Sequence, residues 1–448
     1  MTAHPYMANS APDLRQELLD AVGVADPEEL FTQIPDDHYM ARPLSLPPAL
    51  ASEGELSRHL RRTLSRNVDC EQALSFLGGG VWQHHVPAVC DEIAQRTEFV
   101  TSEWGTPASD LGRNQAWFEF ASQLGELLEL DFVALPVYSW GCAAGHAIRM
   151  ASRITGRSSV LVPANLDPER MAVIRTYCGF EIALETVAID ASGRLDLSDL
   201  EAKLSEETAA VYFESPGSLG VIETEAERIA ALARSAGAET IMGVDPLSLG
   251  VLAPPGQLGA DIAVGSTQPL GVHMNCGGGA GGFIASRDEE RYAREYPTLQ
   301  VSIAPTAVDG EHGFTMTLFA QTSYGQREHG KDWTGNSVYL WAIVNAVYMS
   351  LLGPQGFADL GNLIFARSHY AAARIGELPG ASVRWDGFFK EFVVDFERPV
   401  SEINAALRDR GIFGGGAIAE KAALYCVTEV HTEADIDRLV EALAEVTA

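Results

Sequence analysis

The spacing of apolar positions changes along the chain and divides it into three parts. Between residues 67 and 354, short runs stay apolar at nearly every position: SSVLVP (158–163), ETVAI (185–189), AAVYFE (209–214), TIMGVD (240–245), ADIAVG (260–265) and GGFIAS (281–286). Stretches with helical spacing lie among them, at 87–97, 114–129, 142–155, 167–178 and 225–236. Apolar strands alternating with helices predict a mostly parallel sheet covered on both faces. Ligands of such sheets bind beyond the carboxyl ends of the strands, where Asp245 and Gly265-Ser266-Thr267 lie.

The flanking parts read differently. Residues 1–66 predict a helical arm: Pro12 opens a helix into LRQELLDAV, and Pro27 opens another in PEELFTQI. The proline-rich ARPLSLPPAL cannot form a regular element, and an arm of this kind lies across its own body or a partner subunit. Residues 355–448 predict a small α+β domain. It has helices at 356–376, 401–410 and 432–446 and strands in ASVRW, EFVVDF and ALYCVT. The most apolar long run, YLWAIVNAVYMSLLG (339–353), is too short to span a bilayer, which needs about 20 residues, and predicts a buried helix.

Composition narrows the function classes. A chain of 448 residues, 46% hydrophobic, can bury large cores in two or three domains. Lys+Arg total 31 against 61 Asp+Glu, a formal net charge of −30, which argues against nucleic-acid binding. Cys70, Cys90, Cys142, Cys178, Cys276 and Cys426 form no CxxC pair, so no zinc site is predicted, and they suit a reducing cytoplasm. The N-terminus MTAHPYMANSAPDL carries no secretory signal pattern.

Candidate chemistry is sparse. The lysines are Lys203, Lys331, Lys390 and Lys421. A lysine that forms a Schiff base must reach its cofactor from a fixed loop, and only Lys331, in REHGKDWTGNS, sits in a loop with other polar candidates. Lys203 belongs to a polar helix, and Lys390 and Lys421 to the small domain. Asp245 carries two readings, a charge partner for a ligand or the cap of a strand-end turn favoured by Asp-Pro. GGGAGG (277–282) spells GxGxxG, but a strand follows it where a dinucleotide site needs a helix. In GGGVWQHHVP (78–87), His84 and His85 would point to opposite sides, so one faces a cleft or both lie on the surface. Tyr138-Ser139-Trp140-Gly141-Cys142 opens a helix whose N–H groups suit an anion or a simple cap.

Two resemblances order these pieces. Asp245 closing one strand, with a polar turn Gly265-Ser266-Thr267-Gln268 closing the next, resembles the layout of aminotransferase-like, fold type I enzymes that carry pyridoxal phosphate (PLP). In those enzymes the aspartate holds the pyridine nitrogen and a lysine past the next strand holds the aldehyde; here no lysine follows. The chain as a whole resembles the first subunit of the two-subunit glycine dehydrogenase (decarboxylating), the P-protein of the glycine cleavage system. The segments that carry this likeness run from DLRQELLDAVGVADPEELFTQIP and FLGGGVWQHHVPAV through YFESPGSLGVIE and GVDPLSLGVLAPPGQLGADIAVGSTQPLG to CVTEVHTEADIDRLVEAL.

That resemblance implies a chain without PLP that completes the active site of a PLP-bearing second subunit, in an α2β2 assembly. The partner's lysine holds the cofactor, whose electron-poor ring stabilises the carbanion left when glycine loses its carboxylate. The aminomethyl group then passes to a lipoyl carrier protein. Asp245 would be a remnant of a duplicated cofactor site, and no residue of this chain alone would be catalytic. Three loops depart from the family pattern, at 103–110, 138–142 and 331–337. Candidates facing a shared site are His84, Thr101, Tyr138, Gln268 and Asn336, with Trp104, Trp140 and Trp333 shaping the pocket. The departures leave two alternatives open: a specialised paralogue acting on another amino acid with its partner, and a regulatory or scaffolding pseudoenzyme.

Overall fold

The structure is a computed structural model, and it describes the chain except residues 1, 2, 5, 41, 43, 81, 101–106, 275–280, 318–325, 336 and 448. Thr101, Trp104, Asn336 and Cys276 therefore lie outside the described residues. Contacts divide the chain into Met1–Val68 and Asp69–Ala448.

The first unit is an arm of short elements. Helix α1 (Pro12–Val22) starts on a proline and stops at Gly23, whose φ of 83° is left-handed. The predicted second helix is a single 3-10 turn, Pro27–Phe31, because the Asp26/Glu29 capping box starts it and the helical hydrogen-bonding does not continue past Phe31. Helix α2 (Glu53–Leu64) is capped by the Ser52 side chain. None of these elements has a buried residue.

The second unit holds a seven-stranded sheet. Its strands are β1 (Phe132–Val133), β2 (Ser159–Pro163), β3 (Ala183–Val187), β4 (Thr208–Glu214), β5 (Glu239–Val244), β6 (Ile262–Ser266) and β7 (Gly282–Ser286). Their spatial order is β1-β7-β6-β5-β4-β2-β3. The pairs from β3 to β6 are parallel, and β7 and β1 close one edge antiparallel.

Every residue of β4 and β5 is buried because both faces of the sheet are covered. Alternation then sends Val211, Phe213, Met242 and Val244 to one core and Ala210, Tyr212 and Ile241 to the other. The first core includes Trp117, Phe120 and Leu124 of α3 (Pro107–Leu128). The second includes Ala143, Ala147 and Ile148 of α4 (Trp140–Thr155), which packs against α5 (Pro168–Cys178). Each fully buried Val, Ile, Leu, Met or Phe among them contributes about 1.5–3 kcal/mol.

The two apolar stretches 339–353 and 356–376 form two helical segments, together α6 (Tyr339–Gly376), that meet at Gly353, where the backbone is not helical. It kinks where Gly353 takes a left-handed φ of 58° just before Pro354, which cannot donate to the helical ladder. The second half covers a four-stranded antiparallel sheet: β8 (Ala381–Val383), β9 (Glu391–Phe396), β10 (Gly416–Ala419) and β11 (Ala422–Cys426), in the order β8-β9-β11-β10. Ala371 and Ile375 of α6 share its core with Phe392, Val394, Ile403 and Leu439. A hairpin of Gln300–Pro305 with His312–Thr317 was not expected from the sequence.

Candidate functional site

At the carboxyl end of β5, Asp245 is 3% exposed. Its Oδ1 accepts the Leu247 N–H at 3.1 Å, so it caps the following turn, as one of its two sequence readings has it. The other carboxylate oxygen meets a lysine from the far end of the chain: Lys390 Nζ lies 2.7 Å from Asp245 Oδ2. Lys390 immediately precedes β9 and is 2% exposed. A buried ammonium needs compensation on every side. Lys390 Nζ stands 3.5 Å from the Trp82 ring centroid, a desolvated cation–π contact. It also donates to His84 Nε2 at 3.1 Å.

That donation fixes the state of His84. An ammonium can only donate, so Nε2 must accept and the ring proton resides on Nδ1. Nδ1–H then donates to Glu429 Oε2 at 2.8 Å, while Glu429 Oε1 accepts the His85 N–H at 2.7 Å. Burial opposes the Glu429 charge, but His84 and the His85 N–H outweigh it and hold the carboxyl down to about 2. The result is a continuous buried relay, Asp245–Lys390–His84–Glu429, joining the large sheet to the small one.

The remaining space is filled. Glu391 accepts the Gly79 N–H at 2.6 Å, and burial raises its carboxyl above the usual range against the Lys390 charge. Arg170 Nη1 reaches both Glu214 oxygens, at 2.7 and 2.6 Å, and Tyr212 donates to the same carboxylate. The Arg170 guanidinium lies 3.9 Å over the Trp140 ring, whose Nε1–H donates to Tyr212 Oη at 3.2 Å. Trp140 and Trp82 meet edge to face, 6.2 Å between centroids.

The cavity left among these side chains measures about 20 Å³. One water needs roughly 10–15 Å³ on the same measure, so a pyridine ring has no room. The turn after β6 offers no amine: Gln268 Nε2 donates to Val272 O at 3.0 Å, and Thr267 and Gln268 are buried. The residues of this chain do not fit PLP. Lys331, the one lysine in a loop with other polar candidates, is paired with Glu295 and donates to Arg294 O at 3.3 Å.

The other sequence candidates separate. His84 belongs to the lysine relay and Trp140 to the pocket filling. Tyr138 is 48% exposed. Ser337 donates to Pro136 O just before α4, and Asp332 accepts from Arg149 Nε past the middle of α4 at 2.7 Å. Trp333 packs, partly buried, on the first core rather than in the pocket. Sequence reasoning missed Lys390. Its signal was FFKEF, a charged pair set between aromatics in an otherwise apolar strand run.

A parallel-rich α/β body, a capping aspartate after β5 and a closed pocket define a subunit of the fold type I architecture. The glycine cleavage system P-protein family matches residues 4–443, and the chain belongs to that family. It is 38% identical to the probable glycine dehydrogenase (decarboxylating) subunit 1 of Saccharolobus islandicus, over 99% of this chain and 98% of that one. The Sulfolobus acidocaldarius protein of the same name is 36% identical over the full length of both. Among solved structures, an inhibitor-bound glycine decarboxylase (P-protein) of the glycine cleavage system superposes with a TM-score of 0.88 at 34% identity, covering all of both chains. A sphingosine-1-phosphate lyase of Burkholderia pseudomallei, 15% identical with a TM-score of 0.67 over 90% of this chain and 92% of that one, shares the fold.

Proposed function

We propose that this chain is the cofactor-free subunit of a heteromeric glycine decarboxylase and completes the active site of a PLP-bearing partner. The observation that carries the reading is the Asp245–Lys390 ion pair, which satisfies with an internal amine the carboxylate that a pyridine nitrogen would otherwise need. The cytoplasm is its site of action, and a lipoyl carrier takes up the aminomethyl product. Among the described residues, no helix is long and apolar enough to cross a membrane.

The arm supports a partner. On α1, Leu14, Leu18 and Val22 are 38%, 46% and 61% exposed, and on α2, Leu56, Leu60 and Leu64 are 42%, 48% and 61% exposed. Each set is spaced by four residues, so each forms one apolar stripe along its helix. Aligned apolar stripes of this kind mark interaction surfaces, and the second subunit of an α2β2 assembly covers these. At the shared site, Tyr138 orients substrate from the start of α4.

The test is co-expression with the second subunit. The pair exchanges bicarbonate with glycine, while this chain alone, treated with PLP and borohydride, retains no pyridoxyl group. A pyridoxyl-modified lysine on this chain alone overturns the reading.

A further inference from the structure

A groove lies where the kink of α6 passes the end of α3, away from the lysine relay. It measures about 560 Å³, within the roughly 300–1,000 Å³ typical of small-molecule sites. Its apolar lining is Leu127 of α3, Leu249 of the turn after β5, and Met349 and Phe357 on either side of the kink. Met349 and Phe357 are buried. Glycine lets two of its walls approach, since a Cβ at Gly250 would overlap Phe357 O.

The polar lining is one-sided. Glu126 in the last turn of α3 and Glu129 directly after it bring two carboxylates to the rim. Helix α3 has 22 residues and no basic residue in its last turn. The negative end of a helix repels anions, so both carboxylates work against the helix that carries them. Glu129 also takes a φ of 51°, a left-handed conformation where a helix end usually carries Gly or Asn. Gly256 helps to hold the backbone there: its N–H donates to Leu128 O at 3.0 Å, and a Cβ on it would overlap Glu129 O. Further acceptors lie beside the two carboxylates. Gln123 Nε2 donates to Ser350 Oγ at 2.9 Å, while Gln123 Oε1 is buried and has no hydrogen-bond partner among the described residues. Pro354 has no N–H to offer the Ser350 carbonyl one turn back. Among the described residues, no cation pairs with Glu126 or Glu129, and no Lys, Arg or His lines the groove.

We propose that this groove binds a small organic cation, an ammonium carried on an apolar body. The body lies against Leu127, Leu249, Met349 and Phe357, and the ammonium answers Glu126, Glu129 and the end of α3. Size decides against a partner's helix. A helix is about 10 Å across, so 560 Å³ holds only about 7 Å of it, little more than one turn. A bare metal ion would leave the apolar lining unused, and no group of described side chains could hold one. The groove shares one element with the lysine relay: the turn Pro246–Gly250, which Asp245 caps, supplies Leu249 and Gly250 to its wall.

The test titrates the purified full chain with phenethylammonium at neutral pH and low salt, followed by calorimetry. Phenethyl alcohol, the same body without the charge, is the control. The amine binds one site with a Kd on the order of 1 mM, ordinary for so small a ligand, and about fivefold or more tighter than the alcohol. Glu126→Gln combined with Glu129→Gln, both at exposed positions, removes that preference. Ala358→Trp, which fills the groove, weakens binding of the amine about tenfold. Three results overturn the proposal: equal affinity for amine and alcohol, a preference that survives loss of both carboxylates, or no saturation by about 20 mM amine. The comparison of amine with alcohol is made on the wild type, so it decides the matter even where a variant does not fold.

Discussion

Lys390→Met tests whether the pocket is a desolvated ion pair. The substitution keeps the length of the side chain and removes its charge, leaving the Asp245 carboxylate unpaired at 3% exposure. Breaking a buried pair from one side costs about 3–5 kcal/mol. Residues 69–448 form one unit, and at ~2.1 cal/mol/K per residue its unfolding entropy is ~0.8 kcal/mol/K, so a loss of about 4 kcal/mol lowers Tm by about 5 °C. Asp245→Asn keeps an oxygen for the Leu247 N–H but strands the ammonium, and it carries a similar loss. The double variant has no buried charge at either position and recovers most of the stability, giving a coupling of at least ~2 kcal/mol. Urea unfolding and thermal melts of the four proteins close the cycle. Additive losses, with coupling below about 0.5 kcal/mol, refute the reasoning, because two charges 2.7 Å apart and cut off from water cannot act independently.

Other outcomes follow from the same contacts. Glu429 is held well below the usual carboxylate range, so the stability it contributes is complete above pH 4.5 and lost as pH falls through its lowered value. Glu429→Gln flattens that part of the stability profile, measured by urea midpoints against pH. Replacing Leu56, Leu60 and Leu64 by serine weakens association with the second subunit by about 3 kcal/mol, on the order of a hundredfold in Kd, because each side chain is only half exposed to begin with. Sedimentation of the pair measures it, and the melting temperature of the isolated chain stays within about 2 °C. Tyr138→Phe lowers turnover of the heteromer about tenfold or more without changing its assembly. Equal turnover with the same stoichiometry removes Tyr138 from the shared site.

The sheet was legible because β4 and β5 are buried on both faces and therefore read as unbroken apolar runs. The Gly353–Pro354 break was legible as two apolar stretches, and the backbone leaves the helical conformation at Gly353 between them. The 300–317 hairpin was not legible: QVSIAP is largely half-exposed and carries neither a strict alternation nor a fully apolar run. Asp245 was found from its place after a strand, yet its partner was not. An ion pair between β5 and the start of β9 is a tertiary fact with no local period, and scanning for a lysine near the next strand looked in the wrong direction. The loop residues suffered from the same blindness. Trp140 stacks under Arg170 in the closed pocket, whereas Trp333 lies partly buried on a core, a difference that the sequence around the two does not carry.

The lysine relay also gives a physical reason for the buried aspartate after β5. Its Oδ1 ends the turn after β5, and its Oδ2 neutralises an ammonium delivered by the second sheet. That ammonium in turn sets the His84 tautomer and, through it, the Glu429 hydrogen bond. Removing any single member leaves a buried charge or a buried donor without its partner, a penalty of several kcal/mol against a total stability of about 5–15 kcal/mol. The pocket therefore resists one-step change. Tyr138, just before α4, is about half exposed. On the proposed function, this closed, self-neutralised interior leaves the chemistry to a site shared with the second subunit.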